Sequence, residues 1–362
     1  MINYTKLAAT VAFASMMVAG ATGFAAAQQF PDPSDEAALY EAAKKEGRVT
    51  WYLGMPPDVA QNIMDAFAEK YPGIQVEPVR LVSVQQFQRF SEESAAGQSV
   101  ADLLYLDTWS IDALAAQGYL AEWVPPNAEL LPEDARNGNW AYVQAYSAAA
   151  IGYNSNNVTE EEAEKLKTWK GILDPVFKGR FAVSPQLCSS CYTPVHMWLD
   201  PEMQEEYGEK FMREVAAHEP NIYAEINLAV DLVASGEEDI VFCCSWGALN
   251  NARYAKGAPI RWVFPTPTPV APQSYIAISN IAPHPNAARL FMNWWISPEG
   301  LHAQQKFFGD GGALEGVADD MPAVKEAWYQ SPTETYKLDR DRWNKNFADD
   351  MALWAEIMKP NR

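Results

Sequence analysis

The stretch GRVTWYLGMPPDVAQNIMDAFAEKYPGIQVEPVRL, residues 47–81, predicts a strand, a helix and a second strand in direct succession. Its first seven residues are rich in β-branched and aromatic side chains, and the run stops at Gly54. Apolar residues from Val59 to Tyr71 then recur every four positions, which places them on one face of a helix. Pro72-Gly73 ends that helix before the next strand. This order is typical of a parallel sheet covered by helices.

The same pattern continues toward the C-terminus. We predict a helix over residues 85–96, an apolar strand over 101–106 and a short helix over 111–117. A strand that is apolar on both faces is typical of the centre of a parallel sheet. Ligands of such doubly wound sheets bind beyond the carboxyl ends of the strands. We therefore expect residues 52–55, 83–85 and 107–110 to share one rim.

A second α/β unit follows, with strands predicted over residues 145–153, 181–184, 239–244 and 260–264. The stretch Thr266-Pro267-Thr268-Pro269 is typical of a segment that crosses between units. The sequence therefore predicts two α/β units.

The N-terminus has the pattern of a secretory signal peptide. Lys6 is the only charged residue before Asp32, and an apolar run follows Lys6. Ala25-Ala26-Ala27 forms an A-x-A cleavage site. The apolar run is short and interrupted, which favours cleavage near Ala27 over an uncleaved membrane anchor. We expect residues 1–27 to be removed on export.

The composition excludes several classes of protein. The 362 residues include 27 Lys and Arg against 47 Asp and Glu, a net charge of −20. Nucleic-acid binding needs a surplus of basic residues, so this class is excluded. A hydrophobic content of 48% excludes wholesale disorder. Four cysteines are too few for a disulfide-based scaffold.

Short motifs occur in a fixed order between Gly47 and Gly300. They are ADLL (101–104), TWKGILDP (168–175), FKGRFAV (177–183), KGAP (256–259), APHPNAA (282–288) and SPEG (297–300). Each motif is weak alone, but together they resemble the extracellular solute-binding proteins of ABC importers, specifically the ferric-iron-binding type (family 1).

The resemblance implies an α/β fold of the type II periplasmic binding protein kind, with two doubly wound lobes joined by crossing hinge strands. It implies a first lobe of residues 34–144 plus 269–362 and a second lobe of residues 145–268. It also implies a periplasmic monomer without cofactor or enzymatic activity, which closes on a small solute and delivers it to a membrane permease.

Ferric-binding members of this family carry adjacent tyrosines just after the strand that ends here at Cys244. Phenolates are hard oxygen ligands that suit Fe(III). This chain has Ser245-Trp246 at that place, and the nearest tyrosine is Tyr254. The tyrosine pair is missing, which favours a small organic solute. A receptor for ferric iron or another metal remains the alternative.

Small-solute sites combine apolar walls with a few polar groups. The candidate walls are Tyr52, Trp109, Tyr146, Tyr192 and Trp246. The candidate polar residues are Ser83, Asp107, Thr108, Ser184, Gln186, Ser189, Ser190 and Ser245. Backbone N–H groups at predicted helix starts suit a carboxylate or phosphonate, whereas Asp107 and the tryptophans suit an ammonium group. Amine, zwitterion and anion therefore stay open.

All four cysteines fall in two places of the second unit, Cys188-x-x-Cys191 and Cys243-Cys244. Export favours one or two disulfides among them. A thiolate metal site and free buried thiols are the other interpretations. An exported thiol or metal enzyme that uses this cluster is the second class of function. Nucleotide-binding and nucleophile-elbow motifs do not occur in the sequence.

Overall fold

The structure is a computed structural model that describes residues 35–187, 190–272, 274–307 and 309–359. The predicted signal peptide, residues 1–27, lies outside the described residues and stays a prediction. The helices are α1 (Glu36–Glu46), α2 (Pro57–Lys70), α3 (Ser83–Ala95), α4 (Thr108–Ala116), α5 (Glu160–Lys165), α6 (Thr193–Trp198), α7 (Gly208–Ala217), α8 (Ile226–Ser235), α9 (Trp246–Tyr254), α10 (Pro285–Trp295), α11 (Pro298–Phe307) and α12 (Arg340–Ile357). The strands are β1 (Arg48–Leu53), β2 (Gln75–Arg80), β3 (Leu103–Leu106), β4 (Arg136–Asn137), β5 (Ala141–Tyr142), β6 (Ala145–Asn154), β7 (Phe181–Val183), β8 (Asn221–Ile222), β9 (Ile240–Ser245), β10 (Ile260–Val263), β11 (Thr268–Pro272), β12 (Tyr275–Ile278), β13 (Gly311–Gly312) and β14 (Thr335–Lys337).

The first sheet has the strand order β2-β1-β3-β12-β5-β4. Strand β1 runs parallel to β2 and β3, and β12 runs antiparallel to β3. Residues 48–80 form β1, α2 and β2, as predicted. All four residues of β3 are buried, which agrees with its predicted central position.

Helices cover both faces of this sheet. Successive side chains of a strand point to opposite faces, so neighbouring residues of β1 contact different helices. Trp51 of β1 packs on Phe291 and Trp295 of α10, with ring centroids 5.0 and 5.4 Å apart. The next residue, Tyr52, donates a hydrogen bond of 2.8 Å to Glu93 of α3. The predicted α/β class is confirmed.

The second sheet has the order β14-β11-β6-β9-β7-β8, and β10 and β13 also pair with β6. The first residues of β6 pair with β11 and β13. Its last residues pair with β9 and β10. Strand β6 therefore connects two regions of this sheet.

The buried apolar residues form two cores. The first core contains residues from Leu39 to Ala145 and from Tyr275 to Leu314. The second core contains residues from Ala148 to Phe264 and from Met321 to Met358. We call the regions around these cores the first lobe and the second lobe. Strand β6 passes from one core to the other, and the chain returns between Phe264 and Tyr275, as the sequence predicts for the hinge strands.

The chain crosses once more after Leu314. The family resemblance implies that all of residues 269–362 belong to the first lobe, but Met321, Trp354 and Met358 lie in the second core. The indole N–H of Trp354 donates a hydrogen bond of 2.8 Å to the carbonyl of Ser184, just after β7. The apolar stripe of α12 can cover either lobe, so only tertiary packing decides its place. Within the described ranges, no helix combines the length and apolar character needed to cross a membrane.

Candidate functional site

The rim of the first sheet is formed by the carboxyl ends of β1, β2 and β3 and by the starts of α3 and α4. Asp107 directly follows β3 and is the N-cap residue of α4. Its two carboxylate oxygens accept hydrogen bonds of 3.0 Å from the backbone N–H and the hydroxyl of Ser110. Both oxygens are therefore engaged by the helix that Asp107 starts, which weakens its candidacy as a partner for an ammonium group.

An exposed apolar surface lies on this rim. The side chain of Trp109 is 55% exposed and packs against Phe87 of α3, with ring centroids 5.2 Å apart. Val82 and Val84 at the start of α3 are also exposed. We call Val82, Val84, Phe87 and Trp109 the apolar lip. Of these residues, only Trp109 was predicted to bind solute. Val84 lies in the predicted rim segment 83–85, and its three-residue spacing from Phe87 places both on one helix face. The predicted Ser83 is partly buried and lies beside the lip residues of α3.

Tyr52 lies in the first core and not on the rim. It is fully buried, its hydroxyl donates to Glu93, and the guanidinium of Arg89 lies 5.0 Å from its ring centroid. Burial, together with the hydrogen bond to Glu93, raises the pKa of Tyr52 far above its usual value. Its role is to attach α3 to the sheet.

Trp246 begins α9 in the second lobe and is almost fully buried. Its ring makes an edge-to-face contact with Phe264 at 4.9 Å. A Cβ atom added to Gly311 would lie 2.9 Å from the Trp246 ring, so Trp246 touches the segment that follows α11. Its indole N–H is buried and has no hydrogen-bond partner among the described residues. Ser245 precedes α9, and its side chain makes no capping hydrogen bond.

Ser184 and Tyr192 stabilise the turn after β7. The hydroxyl of Ser184 donates to the carbonyl of Gln186 at 2.9 Å. The hydroxyl of Tyr192 donates to the carbonyl of Pro185 at 3.1 Å. Both side chains are buried, whereas Gln186 is exposed. The structure therefore gives Ser184 and Tyr192 a structural role.

Two candidate site residues, Ser189 and Ser190, lie at the gap in the described residues. Ser189 lies outside the described residues. Ser190 begins a short helical turn that ends at Tyr192. These two residues stay predictions.

An interlobe cavity of about 350 Å³ lies beside the hinge strands β6 and β11. Thr108 and Tyr146 are the predicted residues that line it. The other lining residues are Glu133, Asp134, Arg136, Val270, Ala271, Pro272, Tyr275, Lys337, Leu338, Arg340 and Trp343. The volume lies in the range of small-molecule sites. Thr108 lines this cavity, and the next residue, Trp109, belongs to the apolar lip, so the lip lies next to the cavity.

Charged side chains that line this cavity form hydrogen bonds and an ion pair with one another. The hydroxyl of Tyr146 donates to Asp134 at 2.7 Å, and Lys337 pairs with the same carboxylate at 2.6 Å. Burial raises the pKa of Asp134, but its hydrogen bonds from Lys337 and Tyr146 outweigh burial and hold the pKa below the usual value. Three basic residues line the cavity, against the two acids Glu133 and Asp134. Asp112 does not line the cavity but pairs with Arg340, so the basic and acidic groups at the cavity balance.

The cysteines differ from the sequence prediction. Cys243 and Cys244 are free, fully buried thiols in β9, so the predicted disulfides do not include them. Cys243 has a backbone φ of 57° and lies where the pairing of β9 with β6 shifts register. Burial raises the pKa of the Cys244 thiol to about 12. Cys188 lies outside the described residues. Among the described residues, no group of three or more His, Cys, Asp or Glu is placed to hold a metal ion.

Residues 62–333 match the family described as bacterial extracellular solute-binding protein. The chain belongs to this family. An uncharacterized protein of Haemophilus influenzae is 26% identical to this solute-binding protein over 298 residues, which is 77% of this chain and 80% of the relative.

Solved structures show the same fold. Iron-bound HitA from Pseudomonas aeruginosa superposes with a TM-score of 0.69 at 23% identity, over 86% of this chain and 99% of HitA. AfuA from Actinobacillus pleuropneumoniae, with exogenous fructose-6-phosphate bound, superposes with a TM-score of 0.63 at 17% identity, over 87% of this chain and all of AfuA. The predicted two-lobed periplasmic binding protein fold is confirmed.

Proposed function

We propose that this solute-binding protein is the periplasmic receptor of an ABC importer and captures a small organic solute between its lobes. The observation that carries the proposal is the interlobe cavity, since its walls come from both lobes beside the strands that connect them. A solute bound there contacts both lobes at once, and this contact favours hinge closure.

The chemistry of the site favours an organic solute over ferric iron. Strand β9 ends at Ser245 and Trp246 follows it, and an indole offers no oxygen ligand to Fe(III). The apolar lip suits the hydrocarbon part of a solute. The guanidinium groups of Arg136 and Arg340 in the cavity wall suit a carboxylate or another anionic group, while the carboxylate of Asp107 is already engaged. AfuA shows that this fold accommodates an organic anion.

Several further properties belong to this proposal. We propose removal of residues 1–27 on export and a monomeric receptor that turns over no substrate. Cys191 is disulfide-bonded, and Cys243 and Cys244 are free, which supports pairing of Cys191 with Cys188. The core residues support a first lobe of about 34–144 plus 269–314 and a second lobe that also includes the C-terminal residues from 321 on.

Calorimetry and thermal shift on the mature chain test the proposal with carboxylates, phosphate esters, amino acids, amines and ferric chelates. A cognate solute at 100-fold excess over Kd stabilises the protein by about 2.7 kcal/mol. Thr108→Val and Trp109→Ala should weaken its binding. Leu228→Ala, at another exposed apolar position in α8, should leave it unchanged. Stoichiometric uptake of Fe(III) with a coloured complex would contradict the organic solute, and turnover of a solute would contradict the receptor.

A further inference from the structure

A second cavity, which we call the lateral cavity, lies on the second lobe and measures about 450 Å³. Strand β10, helix α5 and the segment of residues 326–333 form most of its walls. Among the candidate solute-binding residues that the structure describes, none lines it. The lateral cavity is therefore separate from the interlobe cavity, and its size again suits a small molecule.

Aromatic side chains form the apolar part of the lateral cavity. Tyr153, Trp262, Phe264 and Trp328 line it. The rings of Trp262 and Trp328 meet edge to face at 4.8 Å. Aromatic rings pack well against other rings in such offset or edge-to-face arrangements. These walls favour a ligand with a planar aromatic body.

Two buried donors in the cavity wall lack an acceptor. The Nε–H of Arg261 and the indole N–H of Trp262 are buried and have no hydrogen-bond partner among the described residues. Trp262 itself is only 3% exposed. Buried donors without an acceptor destabilise a protein, and they are paired in most structures. These two donors favour a ligand that accepts hydrogen bonds.

The charges around the cavity also leave Arg261 without a buried counter-charge. Its guanidinium lies 3.6 Å from Glu160, whose side chain is 91% exposed. It also forms a hydrogen bond with the side chain of Tyr153 and lies 5.8 Å from the ring centroid of Trp328. Arg253, which also lies over the Trp328 ring, pairs instead with Glu326 at 3.3 Å. The remaining acid of the wall, Glu164, pairs with Lys167 at 2.7 Å. An anionic group bound in the cavity would give Arg261 a counter-charge that is less exposed than Glu160.

We propose that the lateral cavity binds a small aromatic carboxylate at a site distinct from the interlobe site. The carboxylate accepts hydrogen bonds from Arg261 and Trp262, and the aromatic ring packs among Phe264 and Trp328. An aromatic carboxylate combines the anionic, hydrogen-bond-accepting and planar properties that these walls favour.

The probe is para-fluorobenzoate, followed by fluorine NMR and calorimetry with the complete mature chain. We expect saturable binding at millimolar concentration or below. Arg261→Gln should weaken it by about tenfold or more, because it removes the charge and the charge-assisted hydrogen bonds. Trp262→Phe keeps the aromatic wall and removes only the N–H, so it should weaken binding by a smaller factor. Benzyl alcohol, which has the same ring without the charge, should bind much more weakly.

Three results would overturn the proposal. One is no saturable binding of para-fluorobenzoate. Another is binding that Arg261→Gln and Trp262→Phe leave unchanged while both variants keep the native melting temperature. The third is binding that Thr108→Val abolishes, since the probe would then occupy the interlobe cavity. Arg261→Lys keeps the charge without the planar fork and gives a second test if Arg261→Gln does not fold, with weaker binding expected. Lys210→Gln, at an exposed position of α7, is the matched control and should bind as the native chain does.

Discussion

Arg340 and Asp112 form an ion pair that joins the C-terminal helix to the first lobe. The Nε of Arg340 lies 3.1 Å from Oδ2 of Asp112, and the amide of Asn344 donates to the same oxygen at 3.2 Å. Helix α12 packs in the second core through Trp354, whereas Asp112 belongs to α4 of the first lobe. The pair therefore ties the two lobes together beside the interlobe cavity.

Removing the Arg340–Asp112 ion pair should change the relative motion of the two lobes more than it changes the stability of the fold. Both side chains are 34% exposed, so Asp112→Asn should lower the free energy of unfolding by at most about 1 kcal/mol. We expect a larger radius of gyration in small-angle scattering without solute, because the lobes separate more freely. Glu214→Gln, which removes an exposed pair within α7, is the matched control. Unchanged scattering of Asp112→Asn would contradict a tie between the lobes.

The buried Trp354 should contribute strongly to the stability of the second lobe. Trp354→Ala should lower the free energy of unfolding by about 3–5 kcal/mol, because it leaves a cavity in a packed core. Trp354→Phe should cost less, since it loses mainly the hydrogen bond to Ser184. Urea denaturation measures both values. Trp109→Ala is the exposed counterpart and should change stability by no more than about 0.5 kcal/mol. Equal effects of the two alanine variants would contradict the burial of Trp354.

Asp310 should make the protein less stable as the pH rises. Burial raises the pKa of Asp310 to about 8, against the lowering effect of Ser147 and Gln304. Between about pH 4 and pH 8 the folded state therefore holds a proton that the unfolded state releases, and stability falls as pH increases. The stabilisation by the protonated Asp310 is complete below about pH 4 and is lost as the pH rises to about 8. Over this range the free energy of unfolding falls by no more than about 1.4 kcal/mol per pH unit.

The Asp310→Asn variant should remove this pH dependence. An amide does not titrate, so its free energy of unfolding should fall less steeply from about pH 5 to pH 8 than that of the native chain. Chemical denaturation at several pH values measures the slope. Asp320→Asn is the control, because the hydrogen bond from Lys325 lowers the pKa of Asp320 and keeps it ionised throughout this range. An identical slope in native and Asp310→Asn proteins would show that Asp310 is not buried as a neutral acid.

The thiols of Cys243 and Cys244 should be unreactive in the folded protein. Burial raises the pKa of both, and only the thiolate is a strong nucleophile. We expect no reaction with a thiol-specific chromogenic reagent under native conditions. Denaturation without reductant should release two thiols, and reduction should release four if Cys188 and Cys191 are paired. Four thiols before reduction would contradict the disulfide, and rapid reaction in the native state would contradict the burial.

The sequence predicted the local elements well, because their signals are local. The strand-forming run of β1 and the four-residue apolar period of α2 are visible without any partner. The candidate site was only partly predicted. Thr108 and Tyr146 line the interlobe cavity and Trp109 lies on the rim, whereas Tyr52, Ser184 and Tyr192 are buried in structural contacts.

The reason for this difference is geometric. A position near the end of a strand or the start of a helix can be inferred from residue order, but the face that its side chain points to depends on what packs there. Tyr52 is turned inward because α3 supplies Glu93 as a partner. The sequence also does not decide which cysteines stay free, since the buried Cys191 is disulfide-bonded whereas the equally buried Cys243 and Cys244 are free.

The sequence alone determined the α/β class, the export signal as an expectation and the membership of a solute-binding family, since these depend on composition, periodicity and short motifs. Only the tertiary structure decided that the C-terminal helix covers the second lobe, that Arg340 meets Asp112, and that Arg261 and Trp262 present unpaired donors beside a cavity. The first two join residues far apart in the chain, and the walls of the cavity likewise come from distant segments. Their approach depends on the packing of whole elements and not on local preference.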